Sequence, residues 1–233
     1  MCGRYATSRR AADLSSLFEA VDETGAAGEP ALRPNYNLAP TAAAPLVRMS
    51  ERLGRRVLSV ARWGLLPHWA TDRRIAARMI NARAETVATA RAYADSFARR
   101  RALVPADGWY EWRRERGARQ AYYMTPADGS VLAFAGIWSR WGPDGLLTFS
   151  VLTTAAVGEL ARVHDRMPLL LPPQAWTEWL TAPAGPELLR PPPAAWLEGL
   201  EIRPVGPAVG NVRNNGPELT ARVEVPAVAE TLF

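Results

Sequence analysis

The sequence predicts an α+β fold: a mixed, mainly antiparallel set of strands holds the core, and a few helices flank it. Two observations carry this expectation. Strand signals dominate from about residue 106 to 155, where aromatic and β-branched residues run between short turn-rich breaks. Helical periodicity is confined to short segments on either side. The 233 residues show no internal repeat, no glycine-rich phosphate loop and no obvious linker. They are read as a single domain, 1–233.

Taken in order, SRRAADLSSLFEAV reads as an early helix. Ser8 is placed to cap it, and Leu14, Leu17, Phe18 and Val21 fall on one stripe. DETGAAGEPALRP is a loop. RVLSVARWG, near 56–64, reads as a strand, and AETVATARAYADSFARR, near 84–100, as a second helix. DGWYEWRR, QAYYMT, VLAFAGIWSRW and LLTFSVLTT then follow as strands, separated by RERGAR, PADGS and GPDG, and suggest an antiparallel meander. PPQAWTEWL is a short helix. TAPAGPELLRPPPAAW is an irregular connection, and EIRPV returns as a strand near 201–205.

Composition bounds the chemistry. The chain is 48% hydrophobic and 22% charged, as globular proteins are. One cysteine rules out an internal disulfide. Residues 2–20 carry Arg4, Arg9, Arg10, Asp13 and Glu19 without a long apolar run, so no secretory signal is expected, and MPLLLPP is too short to span a bilayer. The expected location is the cytoplasm, with no membrane partner. The net charge of +5 favours polyanions such as nucleic acid. All 28 basic residues are arginine, which equally reflects a compositional bias. The absence of lysine has a sharper consequence: only the α-amino group, with a reference pKa of roughly 7.7–8.0, can supply an amine nucleophile.

One cysteine and two histidines, His68 and His164, cannot form a standard zinc site, and no metal or other cofactor is expected. Several short motifs each admit two readings. His164 in RVHDRMP sits between polar neighbours, as a catalytic imidazole would, or as a surface histidine beside an ordinary ion pair. In INARAET, Asn81, Arg83 and Glu85 share one face of a strand, or Glu85 opens the following helix. Asn81 and Arg83 could then bind an anion, or be a turn residue and a surface arginine. In ADGWYEW, Trp109 and Glu111 point one way and Tyr110 and Trp112 the other. Burial among aromatics would raise the pKa of Glu111 and suit it to proton transfer; the alternative is an exposed edge-strand acid. RWGLLPHWA offers two tryptophans in a turn-like setting, for stacking on bases or for the core. AVGNVRNNGPEL is a polar loop whose asparagines satisfy backbone groups or touch a ligand.

The set and order of these motifs are more telling than any one of them. MCGRYA, YNLAPT, RWGLLPHWA, NARAETV, LVPADGWYEW, FAGIW, LTT, HDRMPLLL and VGNVRNN run from residue 1 to about 219. Together they resemble the abasic-site processing proteins, or SOS response-associated peptidase family. The resemblance implies a branched, barrel-like β arrangement around a DNA-binding cleft. It also implies that Met1 is removed and that Cys2 becomes the first residue and cross-linking nucleophile. By position, Asn81 matches the residue that hydrogen-bonds the adduct, and Glu111 and His164 match the catalytic acid/base pair. Arg4, Arg83 and Arg166 match basic residues that hold phosphates. Asn37, Pro40 and Trp69 resemble positions near displaced or flanking bases.

The implied partner is single-stranded DNA containing abasic sites, bound by a monomer. The implied activity is a covalent protein–DNA cross-link, with a lyase side activity. An abasic deoxyribose opens to an aldehyde, which an amine converts to a Schiff base. On an N-terminal cysteine the thiol then closes a five-membered thiazolidine, favoured because the step is intramolecular. Two other classes remain open at the level of sequence. One is a thiol peptidase with Cys2 as nucleophile and His164 as base, acting at least on its own Met1. The other is a non-covalent reader of damaged single strands.

Overall fold

A computed structural model describes residues 2–25, 32–115 and 118–224. Within them the strands are β1 (Tyr5–Thr7), β2 (Val21–Asp22), β3 (Asn35–Leu38), β4 (Ala43–Ser50), β5 (Arg55–Trp63), β6 (Asn81–Arg83) and β7 (Arg101–Ala106). They continue with β8 (Gly108–Glu115), β9 (Ala118–Pro126), β10 (Leu132–Trp141), β11 (Leu146–Ala155), β12 (Arg166–Pro168) and β13 (Leu200–Val205). The helices are short: α1 (Ala11–Leu17), α2 (Ala94–Arg99), α3 (Trp176–Thr181) and α4 (Ala194–Leu197).

The α+β class is as the sequence predicts. Strands β11, β10, β7, β4 and β5 pair in that order, and β5 returns to β11 through Thr148↔Arg62 and Phe149↔Trp63. That parallel contact closes an otherwise antiparallel path into a five-stranded barrel. Closure removes the exposed edges that an open sheet leaves. Alternation along these strands sorts the apolar residues into two cores. Leu46, Trp63, Val104, Phe134, Phe149 and Val151 belong to the inner cluster. Leu58, Leu103, Ile137 and Leu152 pack instead with Leu14 and Phe18 at α1, Phe97 of α2, and Trp176 and Trp179 of α3.

The second sheet runs β13-β9-β8-β1-β3. Tyr5, Leu38, Trp109, Tyr122 and Met124 join the barrel's inner cluster, together with Cys2. This sheet therefore packs against the barrel core and carries the start of the chain onto it. Gly108 opens β8 where only a hydrogen fits, because a Cβ there would collide with the Met124 carbonyl and the Tyr123 ring.

Several local expectations are corrected. Ser8 does not cap α1: the cap position is Arg10, and the Ser8 N–H instead donates to Asp107 Oδ2 at 2.6 Å. Leu17 is exposed and Val21 lies on β2, so the apolar stripe reduces to Leu14 and Phe18. The predicted helix near 84–100 is helical only over α2. Ala84 still pairs with Thr153 as an extension of β6, and Thr86, Val87 and Thr89 disfavour helix through their stiff β-branched side chains. The meander is broken after β9: β8 and β9 form a hairpin in one sheet, while β10 pairs with β7 and β11 in the other. Trp63 is core, stacked with Phe149 and edge-on to Tyr5, so only Trp69 of that motif is exposed.

Candidate functional site

Cys2 is fully buried, and Asn81 Nδ2 donates to its backbone carbonyl at 2.7 Å. Asn81 is held in turn by β6, which lies parallel to β11 through Asn81↔Val151, and its own carbonyl accepts from the Tyr93 hydroxyl at 3.1 Å. Burial pushes the Cys2 thiol well above its ordinary pKa, and the negative charge of Glu111 adds to the effect.

Glu111 lies on β8 opposite Tyr122. The alternation expected from ADGWYEW holds: Trp109 faces the barrel core, and Tyr110 packs in a separate cluster that Trp112 flanks. Glu111 is only 3% exposed, and burial raises its carboxyl pKa to about 7, with Asp165 also pushing upward. Its Oε2 lies 4.0 Å from His164 Nε2.

His164 follows a 3₁₀ turn over Gly158–Arg162. Its Nδ1 accepts the Arg166 backbone N–H at 2.9 Å and also lies 2.9 Å from Asp165 Oδ1. Accepting that N–H requires a lone pair on Nδ1, which places the proton of the neutral ring on Nε2, toward Glu111. Burial lowers the pKa of His164, in keeping with the neutral form. An acid titrating near 7 beside a neutral imidazole is matched for proton exchange near neutral pH.

The other site residues fall into three settings. Arg166 is engaged by Glu85 through two bonds of 2.5 and 2.8 Å and also donates to the Thr153 carbonyl at 2.6 Å. The Arg166 pairing holds the Glu85 carboxyl below its usual range. Arg83, at the end of β6, is exposed. Arg4 and Asn37 organise a loop: Arg4 Nη1 donates to Asn37 Oδ1 at 2.7 Å and to the Val209 carbonyl at 2.9 Å. Asn37 Nδ2 donates to the carbonyls of Asn211 and Asn214, both at 3.0 Å. Pro40 precedes Thr41, a β-branched residue at φ 70, and the Thr41 N–H donates to the Trp63 carbonyl at 2.8 Å. Such strain in a turn persists only where its surroundings enforce it. Trp69 is 42% exposed with the Arg91 guanidinium over its ring at 5.3 Å.

The structure thus gathers Cys2, Asn81, Glu111 and His164. Arg4 with Asn37, and Trp69 with Arg91, form separate structural units. Sequence reasoning missed the pairing of Glu85 with Arg166. The alternation of Asn81, Arg83 and Glu85 was its only local signal, and the partner lies 81 residues away.

A fold of this kind with this cluster is that of the SOS response-associated peptidase family. The model for "SOS response associated peptidase (SRAP)" matches residues 1–212, and the chain belongs to that family. The chain is 34% identical over 224 residues to the abasic site processing protein YedK of Escherichia coli, covering 94% of this chain and 98% of that one. It is 33% identical over 231 residues to the abasic site processing protein YoqW of Bacillus subtilis, with the same coverage. To the abasic site processing protein HMCES of Gallus gallus it is 29% identical over 269 residues, 97% of this chain and 79% of that one. A crystal structure from Bacteroides thetaiotaomicron superposes with a TM-score of 0.81 at 23% identity, over 96% of this chain and all of that one.

Proposed function

We propose that this protein recognises abasic sites in single-stranded DNA and joins them covalently through the α-amine and thiol of Cys2 once Met1 is removed. The observation that carries this reading is the Asn81–Cys2 bond beside the buried Glu111. It fixes the first residue of the processed chain next to a group able to move protons. The relatives named above as abasic site processing proteins support the same reading.

The steps follow from these positions. His164 gives its Nε2 proton to the ring oxygen of the sugar, opening it to the aldehyde. Glu111 takes a proton from the Cys2 amine, whose lone pair attacks the aldehyde carbon. Returned to the oxygen, that proton lets water leave and a Schiff base form. The thiol then adds to the imine carbon, its proton ending on the nitrogen, and a thiazolidine results. Asn81 orients the adduct. Arg4, Arg83 and Arg166 neutralise phosphates without reading sequence, and Asn37, Pro40 and Trp69 shape the path of the flanking bases. The protein acts as a monomer, in the cytoplasm and on nucleoid DNA.

The test mixes processed protein with an oligonucleotide carrying one abasic site and resolves the products on a denaturing gel. The expected result is a shifted band that is lost in Cys2→Ala and in protein retaining Met1. Absence of the band from processed wild-type protein overturns the proposal. A shift on a native gel alone identifies a non-covalent reader, and shedding of Met1 that depends on His164 identifies a peptidase.

A further inference from the structure

Tyr5 is a buried polar group to which the steps above give no role. It is fully buried, and its hydroxyl has no hydrogen-bond partner among the described residues. A phenol in that state costs free energy unless it serves a purpose. The ring position is closely set: it meets Trp63 edge-on at 5.0 Å and Phe134 at 5.8 Å, and β1 pairs Tyr5 directly with Trp109 of β8. Trp109 Nε1 is likewise buried without a partner among the described residues, so two donors side by side on this face find no acceptor. Cys2 belongs to the same buried cluster, three residues before Tyr5. After burial itself, the charge of an ionised Cys2 is what most raises the Tyr5 pKa, which sets the hydroxyl within electrostatic reach of the sulfur.

We propose that Tyr5 is a positioning residue for the thiol: its hydroxyl donates a hydrogen bond to Cys2 Sγ as the sulfur ionises to attack the imine. The inference rests on the cross-linking role of Cys2. In the step concerned, the sulfur's electron pair forms the C–S bond and the C=N π pair passes to the iminium nitrogen. Tyr5 keeps its proton throughout and stabilises the negative sulfur beforehand. Burial and the charge of Glu111 both oppose thiolate formation, while Cys2's own amine and the Arg4 backbone N–H favour it. A donor on the sulfur meets the opposing pair directly, and bonds from a neutral donor to a charged acceptor are the stronger kind.

Tyr5→Phe isolates the hydroxyl, because the ring packing on Trp63 and Phe134 is retained. The chain has one cysteine, so the pH dependence of iodoacetamide alkylation, read by mass spectrometry on processed protein, reports Cys2 alone. The alkylation midpoint is expected to rise by about one unit in Tyr5→Phe, the scale of one charge-assisted hydrogen bond. The cross-linking rate at pH 7 should fall roughly tenfold with it. The melting temperature should not fall, since an unsatisfied buried hydroxyl has been removed. An unchanged alkylation midpoint overturns the assignment. Alkylation uses no DNA, so a wild-type protein that titrates as expected yet forms no cross-link refutes the proposed function and leaves the Tyr5–Cys2 contact standing.

Discussion

Asn81 holds the carbonyl of Cys2 at 2.7 Å across 79 residues of sequence. A chain terminus ordinarily frays. Here it is tied to a strand of the barrel system, and the tie lies one peptide unit from the reactive amine and thiol.

Removing that tie should slow chemistry more than it disturbs folding. Asn81→Ala is expected to reduce the cross-linking rate by about 100-fold, the scale of a misplaced reactant, with a near-normal melting curve. Single-turnover gel kinetics check the first and circular dichroism the second.

Glu111 has its folded pKa raised to about 7, above its unfolded value. The folded state therefore holds the proton more tightly, and the stability this contributes is full below the unfolded pKa and lost as pH rises through about 7. Glu111→Gln should lose that pH dependence and be more stable than wild type at pH 8, by on the order of 2 kcal/mol, in urea titrations. The same variant should cross-link at least 100-fold more slowly. In wild type the rate should rise with pH as the carboxyl ionises near 7.

Glu85 occupies the guanidinium of Arg166. Glu85→Gln should free a cation at the site and strengthen binding of unmodified single-stranded DNA a few-fold at low salt, with a steeper salt dependence. Fluorescence anisotropy across a salt series measures both. Equal slopes in variant and wild type would show that Arg166 does not meet phosphate.

Arg101 is a stability device with no acidic partner among the described residues. Only 6% exposed, it donates to the carbonyls of Trp179, Phe97, Ala98 and Ala182, binding β7 to the ends of α2 and α3. Arg101→Ala strands those carbonyls and should cost about 3 kcal/mol in urea unfolding, while cross-linking by the folded fraction is unchanged.

The sequence by itself determined the α+β class, the strands at β5 and β8 to β11, and the alternation that buries Glu111. Each is local: period-two patterning and turn residues act within a few positions. It also named Cys2, Asn81, Glu111 and His164, through short motifs whose order carried the family resemblance. Closure of the barrel through β5 and β11 was decided by tertiary structure, as was the split of the expected meander into two sheets. Strand pairing depends on which apolar faces meet, and no single strand encodes its partner. The same holds for the fate of the cations. Arg4, Arg101 and Arg166 look alike in sequence, yet one braces a loop, one caps carbonyls in the core and one faces Glu85. Charge is a property of the residue. Partner and burial, which set what that charge does, come from contacts 80 or more residues apart as often as from neighbours.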